Sequence, residues 1–550
     1  MIKENLVALM QASIKNNWFA PAFSDYKGET VSYGQTGQNI LYWHLVFEKS
    51  GLKSGDKIAL IGRNSANWAL IYLATISYGA VIVPILQDFS SDDMEHLINH
   101  SDSRLLFADA RIIDRLNLKR LNRLEAVISL PDMTCLTSAK KSMAKYQEQA
   151  RRELEKKYPG GLTVDRFSLP VIDNSALSAI VYTSGTTGFS KGVMLPLRSL
   201  SVNVVFALHH FDLKAGDTML SILPLAHAFG CAFEFLFPFC AGVHITFLNQ
   251  VPTPRILLAG LQEVRPKLFL TVPLILEKIY SNQIKPQISK GLIKMVWKVG
   301  KARHMIGSRI RAKLIATFGG DLNEVVVGGA GLNREVEEFF KEIGFPITIG
   351  YGMTECGPLI SYTNWRGHRF SSVGQIIDYL EVKIDSENPY QTPGEILVRG
   401  ENVMTGYYKN KEATQAAIDA DGWLHTGDMG VIDKDNFIYI RGRKKTMLLG
   451  PSGQNIYPEE IEAKLNNLPF VQESLVLQKN GKLVALVYPD YEAADRENVA
   501  VENLDGIMEA NRKRLNDSLP QFSKVSQLKL YPKEFEKTPT KKVKRFLYDI

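Results

Sequence analysis

LSAIVYTSGTTGFSKG, residues 177–192, decides how the chain is read. Its first half is a short continuous apolar run, the pattern of a strand buried on both faces. Its second half is glycine, serine and threonine closed by Lys191. Gly185 and Gly188 permit positive φ, and Thr183, Ser184, Thr186 and Thr187 supply hydroxyls beside exposed backbone N–H groups. Such a loop makes a nest for an anion, with Lys191 as a point charge able to follow a phosphate. It is not a Walker A loop, because Ser190 stands where that motif needs its second glycine and Lys191 is followed by Gly192. Residues 188–192 also fit G-x-S-x-G, the nucleophile elbow of serine hydrolases. That motif needs its serine on a sharp strand-to-helix turn, whereas this strand ends near Tyr182 and Pro196 stops any helix begun at Ser190.

Further runs of the same kind lie at KIALIG (57–62), GAVIVPIL (79–86) and EVVVGGAG (324–331), alternating with longer helical stretches. This is an α/β pattern. Three glycine-bearing segments each follow a strand-like run: the opening loop, GGAGL after EVVV, and IGYGMTE after FPIT. In open α/β sheets ligands sit beyond the carboxyl ends of strands, so the three are expected to converge. GGAGL is no dinucleotide fingerprint, because Arg334 stands where Gly or Ala is required; it suits a backbone edge for a flat heterocycle. In IGYGMTECGP (349–358), Tyr351 can stack on a ring, while Thr354 and Glu355 offer a hydroxyl and a carboxylate to a phosphate and its magnesium. That ion needs only one or two protein carboxylates.

The 550 residues exceed what one hydrophobic core serves, so at least one further unit is expected. Hydrophobic residues at 45% and charged residues at 22% are ordinary for a globular protein. No run approaches the length of a membrane-spanning helix. The N-terminus reads as an amphipathic helix, not a secretory signal. Cys135, Cys231, Cys240 and Cys356 form neither a disulfide framework nor a metal-ligand spacing, which suits a reducing cytoplasm. The net charge of +7 is concentrated: residues 278–320 hold ten Lys or Arg and no Asp or Glu. Apolar residues recur there at helical spacing, which predicts two amphipathic basic helices interrupted at Gly300 and Gly307. Such a surface is either a solvated face or one suited to an anionic membrane or an acidic carrier. Beyond FIYIRGRKK, PEEIEAKLNNL predicts a helix starting at Pro458, and Asn480-Gly481 predicts a hairpin. Residues 1–443 are read as a large α/β domain with several sheets, and 444–550 as a small mobile α+β domain on a hinge near Lys445.

YTSGTTGFSKGV, GGAGL, YGMTECGP, GEILVRGENVMTGYY, GWLHTGDMG, GRKKTMLLGPSGQNIYPEEIE and KTPTKKVKR occur in the order of the adenylate-forming enzymes, and the chain resembles that superfamily over nearly its whole length. The resemblance implies activation of a carboxylate with ATP and Mg2+ to an acyl adenylate, then transfer to a thiol. It assigns phosphate binding to Thr183, Ser184, Gly185, Thr186, Thr187, Gly188 and Lys191, and the nucleotide base to Gly329, Ala330, Gly331 and the Gly350, Tyr351, Gly352 run. Thr354 would touch the α phosphate, Glu355 with Thr183 would hold the metal, and Asp428 and Arg443 would hold the ribose. Lys542 matches the family's catalytic lysine, Lys445 its hinge, and Gly453 a residue lining the thiol channel. Ser190, Thr446 and Lys541 depart from the usual pattern, and Lys541 raises the question of which of two adjacent lysines reaches the site. VPLILEKIY (272–280) and KTPTKK look most like the long-chain fatty acyl-CoA synthetases. PLAHAFGCAFEFLFPFCAG (224–242) suits either core packing or an acyl tunnel, with His227 at its edge. Expected partners are therefore a fatty acid and coenzyme A, with acyl carrier protein or an aryl acid as alternatives, and no nucleic acid. A noncatalytic binder on the same fold is the competing class.

Overall fold

The structure, a computed structural model, describes residues 2–138, 143–183, 190–288, 300–450, 454–538 and 543–548. The runs KIALI and VIVPI become strands Lys57–Ile61 and Val81–Ile85, paired in parallel with Lys57 opposite Val81. Both are buried almost throughout, as a parallel strand covered on two faces must be. The helix between them, Ala66–Tyr78, starts at Ser65, whose hydroxyl accepts from the Trp68 N–H at 3.1 Å. It stops at Gly79, whose φ of +84° is the left-handed cap that favours glycine. Buried from Trp68 through Ser77, it satisfies its own hydroxyls: Thr75 donates to the Ile71 carbonyl and Ser77 to that of Leu73.

These strands sit inside an eight-stranded sheet in the order Gly406–Tyr407, Lys191–Pro196, Leu177–Thr183, Val81–Ile85, Lys57–Ile61, Ser103–Ala108, Ala126–Ser129 and Cys135–Ser138. Leu177–Thr183 and Lys191–Pro196 form an antiparallel hairpin, with Thr183 opposite Lys191 and Tyr182 opposite Gly192. Residues 184–189 lie outside the described residues, but both ends of that loop are held side by side. Ser190 leads directly into a second strand, so the strand-to-helix elbow of a serine hydrolase is excluded.

A separate parallel sheet joins Leu268–Thr271, Glu324–Val327 and Ile347–Ile349. Its side chains share a core with Leu276, Leu314, Phe318 and Phe340. The basic helix Gly300–Thr317 lies against this core and runs unbroken through Gly307, contrary to the expected interruption there. A Cβ on Gly307 would stand 3.2 Å from Ile343 Cγ2, so the glycine permits a close approach and does not break the helix. The first of the two expected basic helices falls largely on residues outside the described ones.

Near the C-terminus, helix Pro458–Leu465 begins with its proline in the first turn. Strands Val471–Lys479 and Lys482–Pro489 pair around Asn480 (φ +50°) and Gly481 (φ +74°), the two positive φ angles of a tight hairpin turn. Val525–Leu530 adds a parallel third strand. Ile461, Leu465, Val476, Leu483, Val487, Met508 and Leu515 make a core distinct from the larger ones. The helix expected at the N-terminus spans Leu6–Asn16 and is capped by Asn5. All four cysteines are free thiols. Among the described residues no helix is long and apolar enough to cross a membrane.

Candidate functional site

Strand pairing brings two of the glycine loops together. Val327 and Ile349 are in register, and the Gly350 N–H donates to the Val327 carbonyl at 3.0 Å. GGAGL and IGYGMTE therefore leave the carboxyl ends of adjacent parallel strands. Gly329 has φ +87°, and Ala330 and Gly331 continue it as an exposed edge. A Cβ on Gly331 would meet nothing within 4 Å among the described residues, whereas one on Gly328 would stand 2.9 Å from the Phe229 ring. The edge is thus open on one side and backed by the His227 segment on the other. His227 is half-buried, and its Nδ1 accepts from the Phe229 N–H at 3.4 Å.

The third loop joins through Tyr407, a residue the sequence reading did not single out. Lys191 opens the strand Lys191–Pro196, and its Nζ lies 4.8 Å from the centre of the Tyr407 ring. The Tyr407 hydroxyl donates to Glu355 Oε1 at 2.9 Å. Burial, then the Glu355 charge, raises the Tyr407 phenol well above its ordinary range, so it stays a donor. Thr354 and Glu355 occupy a short turn, Thr354–Cys356, with Thr354 half-buried and Glu355 only 9% exposed. Glu355 belongs to no protein-only metal cage: among the described residues no three His, Cys, Asp or Glu side chains could hold a metal. That donor set fits magnesium, which draws most of its ligands from phosphate and water, and does not fit a metal caged by protein alone. Thr183 ends its strand opposite Lys191, half-buried.

The same run, 350–355, also carries Tyr351 into a second constellation. The Tyr351 hydroxyl donates to Asp428 Oδ2 at 2.7 Å, and Arg443 Nε forms an ion pair with Asp428 Oδ1 at 2.8 Å. Asp428 and Arg443 are cross-strand partners, which fixes their pairing. Asp428 is 4% exposed while the Arg443 side chain is 49% exposed, so a buried carboxylate is presented beside a solvent-facing guanidinium. Burial and the neighbouring Asp428 push the Tyr351 phenol well above its usual range. Gly352 is sterically required, because a Cβ there would lie 2.2 Å from the Pro358 carbonyl oxygen. Lys445 lies just beyond the strand Ile438–Arg443 and is exposed. Ser184, Gly185, Thr186, Thr187, Gly188, Gly453 and Lys542 lie outside the described residues.

A second residue escaped the sequence reading. Glu234 is fully buried in the aromatic segment, and its Oε2 accepts from the Ser221 hydroxyl (3.0 Å) and the Ile222 and Leu223 N–H groups (2.9 and 2.8 Å). Asn64 ties the same turn, donating to the Leu223 carbonyl at 2.7 Å and accepting from the Leu225 N–H at 3.0 Å. The turn leading to His227 is therefore held from two sides. A single acid inside FEFLF was the available signal.

A model of the AMP-binding enzyme family matches residues 11–408. The chain belongs to the AMP-binding enzyme family. This AMP-binding enzyme is 26% identical over 541 residues to the long-chain-fatty-acid–CoA ligase FadD15 of Mycobacterium bovis, covering 90% of this chain and 86% of that one. It is 28% identical over 538 residues to the chloroplastic long-chain-fatty-acid–[acyl-carrier-protein] ligase AEE15 of Arabidopsis thaliana, covering 85% and 73%. Its fold matches ATP-bound MatB from Rhodopseudomonas palustris with a TM-score of 0.76 at 21% identity, covering 99% of this chain and 98% of that one. The mixed α/β architecture expected from the sequence is thereby shown.

Proposed function

We propose that this AMP-binding enzyme is a ligase that activates a medium- or long-chain fatty acid with ATP as an acyl adenylate, releasing pyrophosphate. The acyl group then passes to the thiol of coenzyme A, and AMP leaves. The observation that supports this best is the junction at 350–355: one short run carries Glu355 to Lys191 through Tyr407, and Tyr351 to Asp428 and Arg443. A site holding a polyphosphate at one end and a nucleoside at the other needs such a junction. The names carried by the similar ligases support a fatty acid as substrate.

In this reading Lys191, with the Thr183–Gly188 loop, holds the β and γ phosphates. Gly329, Ala330, Gly331, Gly350 and Gly352 form the base edge with Tyr351, Thr354 contacts the α phosphate, and Asp428 with Arg443 orients the ribose. Magnesium, held by Glu355 with Thr183, would neutralise phosphate charge. Lys542 supplies positive charge where the substrate carboxylate meets the α phosphate; two anions must approach there, and fixed positive charge lowers that barrier. We take residues 444–550 as a small unit turning about Lys445, bringing Lys542 in for the first half-reaction and Gly453 in for the second. His227 lies at the acyl pocket edge.

Pyrophosphate exchange over a ladder of fatty and aryl acids, with mass analysis of products formed with CoA or carrier protein, tests the reading. Exchange that depends on fatty acids and yields acyl-CoA is expected; no exchange with any acid refutes it. Carrier protein is the second acceptor to test, favoured by the similarity to AEE15. The exposed Arg309, Arg311 and Lys313 of helix Gly300–Thr317 further support peripheral attachment to an anionic membrane. Equal co-sedimentation with anionic and neutral liposomes would overturn that attachment.

A further inference from the structure

Tyr407 touches two oppositely charged groups at once. Lys191 lies over its ring face, and Glu355 accepts from its hydroxyl. Among the described residues neither Lys191 nor Glu355 enters an ion pair, although both contact this one buried side chain. An ammonium and a carboxylate in one cleft attract strongly when little water separates them. Joined directly, each would cancel the other and neither would be free for a ligand.

The backbone fixes Tyr407 between them. Gly406–Tyr407 pairs with the strand that begins at Lys191, placing Tyr407 opposite Val193. The Tyr407 N–H donates to Thr414 Oγ1 at 2.9 Å, and the Tyr408 N–H to the Gly192 carbonyl at 2.8 Å. On the other side the Met404 N–H donates to the Glu355 carbonyl at 2.8 Å, and Asn402 donates through its side chain to the Leu359 carbonyl. Segment 402–408 therefore stitches the exit of the phosphate loop to the turn that carries Glu355. The two seams fix the backbone that carries the ring.

We infer that Tyr407 is a positioning residue that keeps Lys191 and Glu355 apart and aimed, so that the cation is available to phosphate and the carboxylate to magnesium before either arrives. The ring face supplies a weak partner for the ammonium, easily given up to a phosphate. The hydroxyl supplies a directed bond that holds one carboxylate oxygen and leaves the other free. The two functions are separable by substitution.

This inference rests on the proposed nucleotide site, and calorimetric titration of ATP into the full-length protein, with chelator and then with graded Mg2+, tests the two independently. Tyr407→Phe keeps the ring and removes the hydroxyl. Its metal-free ATP affinity stays at the wild-type value, and the Mg2+ concentration that half-saturates the gain in affinity rises about tenfold. Tyr407→Leu also removes the ring, and its metal-free ATP affinity falls about three- to tenfold as Lys191 pairs with Glu355. Glu355→Gln raises metal-free affinity several-fold more in Tyr407→Leu than in the wild type, a non-additivity that neither lost packing nor the mere removal of a negative charge near phosphate would produce. Wild-type metal response in Tyr407→Phe, or the same gain from Glu355→Gln in both backgrounds, overturns the inference while leaving the ATP site standing. No ATP binding by the wild type overturns both.

Discussion

Replacing Glu234 by Gln tests the clamp on the turn before His227. Three donors to one oxygen favour the ionised form, but complete burial outweighs them and pushes the carboxyl from 4.5 up to about 8. Its other oxygen has no hydrogen-bond partner among the described residues. Near neutrality Glu234 is therefore an acid in the folded chain and a carboxylate in the unfolded one. Between its unfolded and folded values the unfolded state holds fewer protons, so stability falls as pH rises, by up to about 1.4 kcal/mol per unit. Across the window from 4.5 to about 8 the loss amounts to about 5 kcal/mol, present in full above the upper value and absent below the lower one. Gln cannot ionise, yet it keeps the size and an acceptor for the Ile222 and Leu223 N–H groups. Urea denaturation followed by tryptophan fluorescence at about pH 5, 7 and 9 gives the difference between wild type and variant directly. That difference is expected to swing toward the variant by several kcal/mol as pH rises. Glu324 and Glu462, each pushed up to about 7 by burial, are common to both proteins and cancel. A gap that stays constant from the acid to the alkaline end would mean that Glu234 is already ionised in the fold, and the reasoning fails.

Three further outcomes are expected. Asp428→Asn removes the charge that accepts from Tyr351 and pairs with Arg443, and ATP affinity falls about ten- to a hundredfold, read by equilibrium titration; unchanged affinity refutes the ribose assignment. Gly352→Ala drives a Cβ against the Pro358 carbonyl oxygen, costing about 1–3 kcal/mol in denaturation and displacing the turn that carries Thr354 and Glu355; a stable, fully active variant would contradict the geometry. Lys542→Ala lowers acyl adenylate formation about 10²–10³-fold but still converts a supplied acyl adenylate to thioester, followed by mass spectrometry of each half-reaction; equal loss of both halves argues against alternation.

Much of the fold was legible because its elements announce themselves locally. KIALI and VIVPI are apolar without alternation, so their burial on two faces follows from composition. Asn480-Gly481 requires two positive φ angles and has them. Gly307 misled for the opposite reason. A glycine in a helical pattern signals either a break or a close contact, and only the position of Ile343, 36 residues away in the chain, decides between them. The site divides in the same way. Lys191, Glu355, Tyr351 and Asp428 belong to glycine-rich or acidic motifs whose residue types suggest chemistry.

Tyr407 and Glu234 were missed because their roles are made entirely by partners distant in sequence or hidden by an apolar setting. Tyr407 lies 52 residues from Glu355, and farther from Lys191, so no window along the chain contains the three together. What joins them is the antiparallel seam between Gly406–Tyr407 and the strand that begins at Lys191. A slip of one position in the seam would turn Tyr407 to the other face and remove its ring from Lys191 and its hydroxyl from Glu355. Register in a two-residue strand thus sets which side chain stands between Lys191 and Glu355, and the sequence motif marks its place without stating its reason.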